Sequence, residues 1–183
     1  MKRSHLPIAI TTLLSAALLL LGSSLRAQQI DQSRSSIAFV ATNLGVDVDG
    51  KFRSFSGTAQ FDPEHPEAAS FNMSIAVASI HTGNSMRDEH LREAEFFDAS
   101  KHPNITFTSE SVVATDSGYR LNGTLQLKGT SKTIAIPFTF SDGGFTGSFV
   151  INRQDYKVGG DGFLDTIGDE VRIHLKCYVN DAN

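Results

Sequence analysis

Tryptophan is absent from this chain, cysteine occurs once and proline five times in 183 residues. A lone Cys177 cannot close an internal disulfide, so the fold must stand without a covalent staple. No cysteine pair and no His-x-x-x-His spacing accompanies His81, His90 and His102, which removes the usual zinc frameworks. Asp47-Val48-Asp49-Gly50 starts like a calcium loop, but the later acidic ligands are missing. Neither a Walker glycine loop, a dinucleotide glycine pattern nor a Gly-x-Ser-x-Gly elbow is present, so three large enzyme classes lose their signature. Basic clusters are also lacking. The chain carries 16 Lys and Arg against 20 Asp and Glu, and such a surface repels phosphate backbones, so nucleic acid is excluded as an expected partner.

What is present begins with a leader. Lys2 and Arg3 precede an apolar run from Ile8 to Leu21, and Leu25-Arg26-Ala27 ends on a small residue. That order reads as a signal peptide over residues 1–27, and the run is short of the about 20 residues a membrane anchor needs. Export to the periplasm, or secretion, is therefore expected. The remaining domain, 28–183, is 156 residues long and loses three of the bases, leaving 13 against 20 acids. All 13 Phe lie in it, beside three Tyr. Its length suffices for one sizeable core.

The dominant period is two, the mark of strands with one face buried. It predicts strands at Ser36 to Thr42, Phe52 to Phe61, Phe71 to Val77, Ile105 to Val113, Tyr119 to Leu127, Ile134 to Phe140, Phe145 to Ile151 and Val171 to Val179. Asp116-Ser117-Gly118, Lys128-Gly129-Thr130 and Asp142-Gly143-Gly144 supply tight reversals, so neighbours run antiparallel. Between Ser85 and Phe97 the alternation fails, and Ser85-Met86-Arg87-Asp88 reads as the capped start of a short helix. The prediction is an all-β fold, an eight-stranded antiparallel sheet with one helical insertion, closed into a barrel or folded into a two-sheet sandwich because open edges aggregate. Eight strands enclose room for packed side chains or one small ligand. The same alternation would fit an outer-membrane barrel, but the aromatic girdles such a barrel needs are missing, so no stable membrane insertion is expected.

The insertion holds the densest charge in the chain. On a helix Asp88 and Arg92 stand i,i+4 apart and can pair, which describes a solvated surface helix. Alternatively Arg87, His90 or Arg92 faces a barrel mouth and meets an anionic head group. An enzyme acting on a lipid or isoprenoid, with His90 as base and Asp88 orienting it, is the competing reading. Residues two apart do not face one another on a helix, which counts against that dyad.

Arg87-Asp88-Glu89-His90-Leu91-Arg92, followed by Phe96-Phe97-Asp98 and Pro103-Asn104-Ile105-Thr106-Phe107, resembles the YceI-like family. Gly50-Lys51-Phe52, Phe61-Asp62-Pro63 and Asn152-Arg153-Gln154-Asp155-Tyr156 extend the resemblance over the whole segment after the leader. It implies an exported, lipocalin-like extended barrel that holds a long apolar lipid, typically a polyisoprenoid such as a quinone or prenyl phosphate, with no established catalysis. No cofactor is implied other than such a ligand. Many members carry His where this chain has Asn43, so that contact does not transfer. Phe39, Phe52, Phe55, Phe107 and one or more of Met73, Phe96 and Phe97 are expected to line the cavity, with Arg87, His90 or Arg92 at its mouth. Phenylalanine adds area with no donor to satisfy. Apolar barrel rims often pair, so a homodimer is a further expectation.

Overall fold

In the computed structural model residues 26–160 and 166–180 are described. The expected leader, apart from Arg26 and Ala27, lies outside the described residues, as do Asp161 and Gly162 of the glycine-rich Gly159–Gly162 stretch.

Eleven strands form one antiparallel sheet among the described residues. They are β1 (Gln28–Gln29), β2 (Ser36–Asn43), β3 (Val46–Phe52), β4 (Phe55–Gln60), β5 (Ser70–Ala76), β6 (Ile80–His81), β7 (Asn104–Thr115), β8 (Gly118–Leu127), β9 (Thr130–Ser141), β10 (Gly144–Asn152) and β11 (Ile167–Tyr178), with one helix, α1 (Ser85–Leu91). The eight predicted strands are an undercount. The predicted strand Phe52 to Phe61 breaks at Arg53–Ser54, and β3 precedes the break. Its alternation was hidden because Asp47 and Asp49 are the outward residues of a real strand, the former accepting a hydrogen bond from Thr42 Oγ1 at 3.2 Å.

The order of pairing is β1-β4-β5-β7-β8-β9-β10-β11-β2-β3-β6. Strands β3 and β4 stand near opposite ends of that order, yet only Arg53 and Ser54 separate them in the chain. The sheet must therefore curl until its ends meet. Two short pairings stitch the seam: β6 against β3, and an Ile30 to Val179 bridge beside β1. Local chemistry sets the sharp corners. Lys128-Gly129 and Asp142-Gly143 both hold positive φ, the geometry whose twist matches flanking strands in a two-residue hairpin.

Helix α1 starts one residue earlier than a Ser85 cap implies: Asn84 Oδ1 accepts from the Arg87 amide at 3.1 Å. Inside the sheet, two apolar clusters follow one another. One gathers Ile37, Phe52, Phe55, Ile80, Phe96 and Tyr156 near α1. The other gathers Phe71, Phe107, Leu121, Ile136, Phe138 and Phe145 towards the opposite end. Each buried Phe contributes roughly 1.5–3 kcal/mol of apolar burial.

Candidate functional site

A cavity of about 230 Å³ runs between the two clusters and takes lining residues from both. That lies just under the roughly 300–1,000 Å³ of drug-sized sites and suits a narrow chain better than a bulky polycycle. Parity builds the lining. On β11, Val171, Ile173, Leu175 and Cys177 face the cavity while Arg172, His174 and Lys176 face out. On β10, Phe149 and Ile151 face in, and Val150 is exposed. The inward residues of β7, β8 and β9 are mostly buried, whereas Phe39 and Ala41 of β2, Phe149 and Ile151 of β10 and the inward residues of β11 are only half-buried although they point inward. Unfilled space lies along the β2, β10 and β11 wall.

Phe39, Phe52, Met73, Phe96, Phe97 and Phe107 are all on the lining. Phe55 is not; it is buried in the cluster near α1 and packs as core. The three charged candidates are also absent from the lining. Arg87 is held to one neighbour, its Nε donating to Thr82 Oγ1 at 2.7 Å and a terminal nitrogen to the Thr82 carbonyl at 2.8 Å. His90 is exposed, sits 3.1 Å from Glu93 Oε2 and rests edge-on against Phe96. Arg92 reaches the Ile80 carbonyl at 3.4 Å, while its Nε is buried without a hydrogen-bond partner.

The expected Asp88 to Arg92 pair does not form. Asp88 turns the other way, accepting from the Thr82 amide at 2.8 Å and Thr82 Oγ1 at 2.6 Å, with His81 Nδ1 at 3.3 Å. Burial pushes its carboxyl up, but the Thr82 hydrogen bonds and His81 outweigh burial and hold it below the ordinary range. The network fastens α1 to the strand that precedes it. Nor does Asp88 orient His90, so the dyad of the competing reading is not assembled. His81 pairs across the sheet with Lys51, whereas its neighbour Ile80 pairs with Phe52, a lining residue. The His81 to Asp88 contact therefore stands on the far side of the wall from the cavity.

Among the lining residues that the sequence reading did not name as candidates, Arg153 and Cys177 stand out for their chemistry. Arg153 is buried at the α1 end and donates to the carbonyls of Val158, Gly160, Ile167 and Gly168, with Asp169 at 3.3 Å. Only the family resemblance marked it, because its partners are carbonyls, which no side-chain pattern records. Cys177 shares the inward parity of Val171, Ile173 and Leu175 on β11, and that parity was a usable signal. Burial raises its thiol to about 11, which leaves it neutral near pH 7.

Among the described residues no group of three His, Cys, Asp or Glu side chains could hold a metal ion, and no helix is long and apolar enough to cross a membrane.

The YceI-like domain family matches residues 28–179. A UPF0312 protein of Pectobacterium atrosepticum is 34% identical over 140 residues, 74% of this chain and 71% of that protein. One from Pseudomonas savastanoi pv. phaseolicola is 30% identical over 177 residues, 88% of this chain and 90% of that protein. Among solved structures, Burkholderia cenocepacia BcnA superposes with a TM-score of 0.76 at 31% identity, covering 81% of this chain and 98% of BcnA. A polyisoprenoid binding domain from Saccharophagus degradans shares the fold with a TM-score of 0.63 at 17% identity, covering 83% and 97%.

Proposed function

The chain belongs to the YceI-like family, and from that premise we propose that it is a non-catalytic, exported binding protein that holds one long apolar lipid inside its barrel. The observation that carries this reading is the lining. Among the described residues thirty surround the cavity, and Arg153, itself occupied by backbone carbonyls, is the only charged one. A space of that kind rewards a ligand that brings apolar surface and few hydrogen-bonding groups, since each buried CH₂ contributes about 0.8 kcal/mol. A polar ligand would lose its water without replacement.

Within that class we favour a polyisoprenoid, either an isoprenoid quinone or a prenyl phosphate. A branched, flexible chain can follow a narrow cavity past Phe39, Phe52 and Phe107. The Saccharophagus domain of the same fold is described as polyisoprenoid binding, which agrees with this choice of ligand. Export is read from residues 1–27, and with it a task in carrying, storing or sequestering a lipid in the periplasm. Amino-terminal sequencing of protein from the periplasmic fraction should begin at Gln28; a start at Met1 in the cytoplasm would overturn export.

Native mass spectrometry of protein purified gently from its source tests the binding. An adduct with the mass of a prenyl lipid is the expected result. A barrel that emerges empty, and takes up no prenol on mixing, would sink the reading.

A further inference from the structure

The barrel wall has a split. β9 and β10 pair only from Ser141 with Gly144 to Phe138 with Gly147. Beyond that point β9 continues with β8 down to Thr130, and β10 continues with β11 to Asn152. The facing edges of residues 130–137 and 148–152 have no ladder partner among the described residues. The ladder ends where Pro137, with no N–H to donate, would face Ser148. At the other margin Lys132 Nζ meets Asp155 at 2.8 Å, which makes the split a bounded window.

The window opens on the cavity. Ile134 and Ile136 from one margin, and Phe149 and Ile151 from the other, are lining residues. Three of these four are only half-buried, and Val150 on the outer side is 50% exposed. Closing a barrel normally removes every strand edge, so edges left in mid-wall ask for a purpose.

Both ends of the barrel are stoppered. Away from α1, Phe61 touches five other rings, those of Phe71, Tyr119, Phe138, Phe140 and Phe145, at centroid distances of 4.9–6.2 Å. At the α1 end Leu91, Phe96 and Phe97 cover the cavity, Phe97 standing edge-on to Phe52 at 6.1 Å. That cover is fastened by the Thr82 to Asp88 hydrogen bonds.

We propose that the window between β9 and β10 is the port through which the apolar chain enters and leaves the cavity. The inference rests on the binding function proposed above and adds its route. A sideways route needs neither α1 to unfasten nor the ring cluster to part. A flexible chain can thread the window while its head stays in water, and the apolar margins Ile134, Ile136, Phe149 and Ile151 receive it continuously.

The test bridges the window. Ala135 and Val150 are exposed on its outer margins. In a Cys177→Ser background, Ala135→Cys with Val150→Cys is joined by a short cleavable bis-maleimide. Uptake and release of a dansyl-labelled geranylgeraniol are then followed by stopped-flow fluorescence. Both rates should fall at least tenfold with the equilibrium affinity within about twofold, and cleaving the bridge should restore them. A bulky maleimide on Val150→Cys alone should slow exchange in the same direction. In the control, a Thr82→Cys and Asp88→Cys disulfide locks α1 and should leave the rates unchanged. Unaltered exchange through the bridged window, or slow exchange only in the α1-locked protein, overturns the port while equilibrium binding upholds the binding function. Absence of equilibrium binding in the unbridged protein removes both.

Discussion

Asp88 Oδ1 accepts two hydrogen bonds from Thr82, one from the amide at 2.8 Å and one from the hydroxyl at 2.6 Å. The pair ties a seven-residue helix to the strand before it, and a helix that short does not persist by propensity alone. Hydrogen bonds to a charged group contribute about 1.5–3 kcal/mol each, so losing both in Asp88→Ala should lower unfolding free energy by about 3–6 kcal/mol. The pH dependence has a definite sign. Folding holds this carboxyl below its ordinary value of 3.8, so its contribution is present above that value and is lost as pH falls through the folded one. Urea titrations at pH 7 and pH 3 check this: the difference between wild type and Asp88→Ala should shrink at the lower pH.

Gly50 lies under a ring. A Cβ there would stand 2.1 Å from Phe39 Cζ, so Gly50→Ala must push that ring aside. Phe39 is the end of a flexible side chain facing the cavity, so the ring moves into the space a ligand needs. Prenol affinity should fall about tenfold, near 1.4 kcal/mol, with only a small loss of melting temperature. Isothermal titration alongside thermal unfolding separates the two.

Cys177 reports occupancy. With its thiol at about 11, roughly one molecule in a thousand carries thiolate at pH 8, so alkylation by iodoacetamide should be slow. It should slow further when the barrel is loaded, because the side chain is on the lining. Mass spectrometry of the alkylated fraction over time, with and without prenol, gives the comparison.

Arg92 is the charged candidate with a donor to spare, since its Nε is buried without a hydrogen-bond partner. An anionic head group would supply one. Arg92→Leu should reduce the preference for a prenyl phosphate over the matching prenol by about tenfold, near 1.4 kcal/mol. Competition binding with the two lipids measures the ratio, and an unchanged ratio removes Arg92 from head-group contact.

Strand parity is the part of this protein most legible in its residues. Val171, Ile173 and Leu175 alternate with Arg172, His174 and Lys176, and the side chains divide between cavity and solvent on that period. The alternation survives folding because a pleated strand sends successive side chains to opposite faces whatever lies beyond them. Where charge occupied the outer face, as at Asp47 and Asp49, the same rule held but was harder to see, and β3 was missed. The helical charges were misread for a related reason. Asp88 chose Thr82 and His81 over Arg92, because the chain folds back at Gly83 and brings a hydroxyl and an amide to the carboxylate.

By itself, then, the sequence determined an antiparallel, ring-rich β-fold with one apolar face, since period, turn residues and composition act within a few positions of one another. Tertiary structure alone decided that Phe55 packs as core while Phe39 lines a space, that Arg153 spends its guanidinium on carbonyls, and that β9 pairs with β10 only from Phe138 to Ser141. Those outcomes depend on how far apart the strands stand once the sheet has curled. Curvature is a sum over the whole wall, and no single segment carries it.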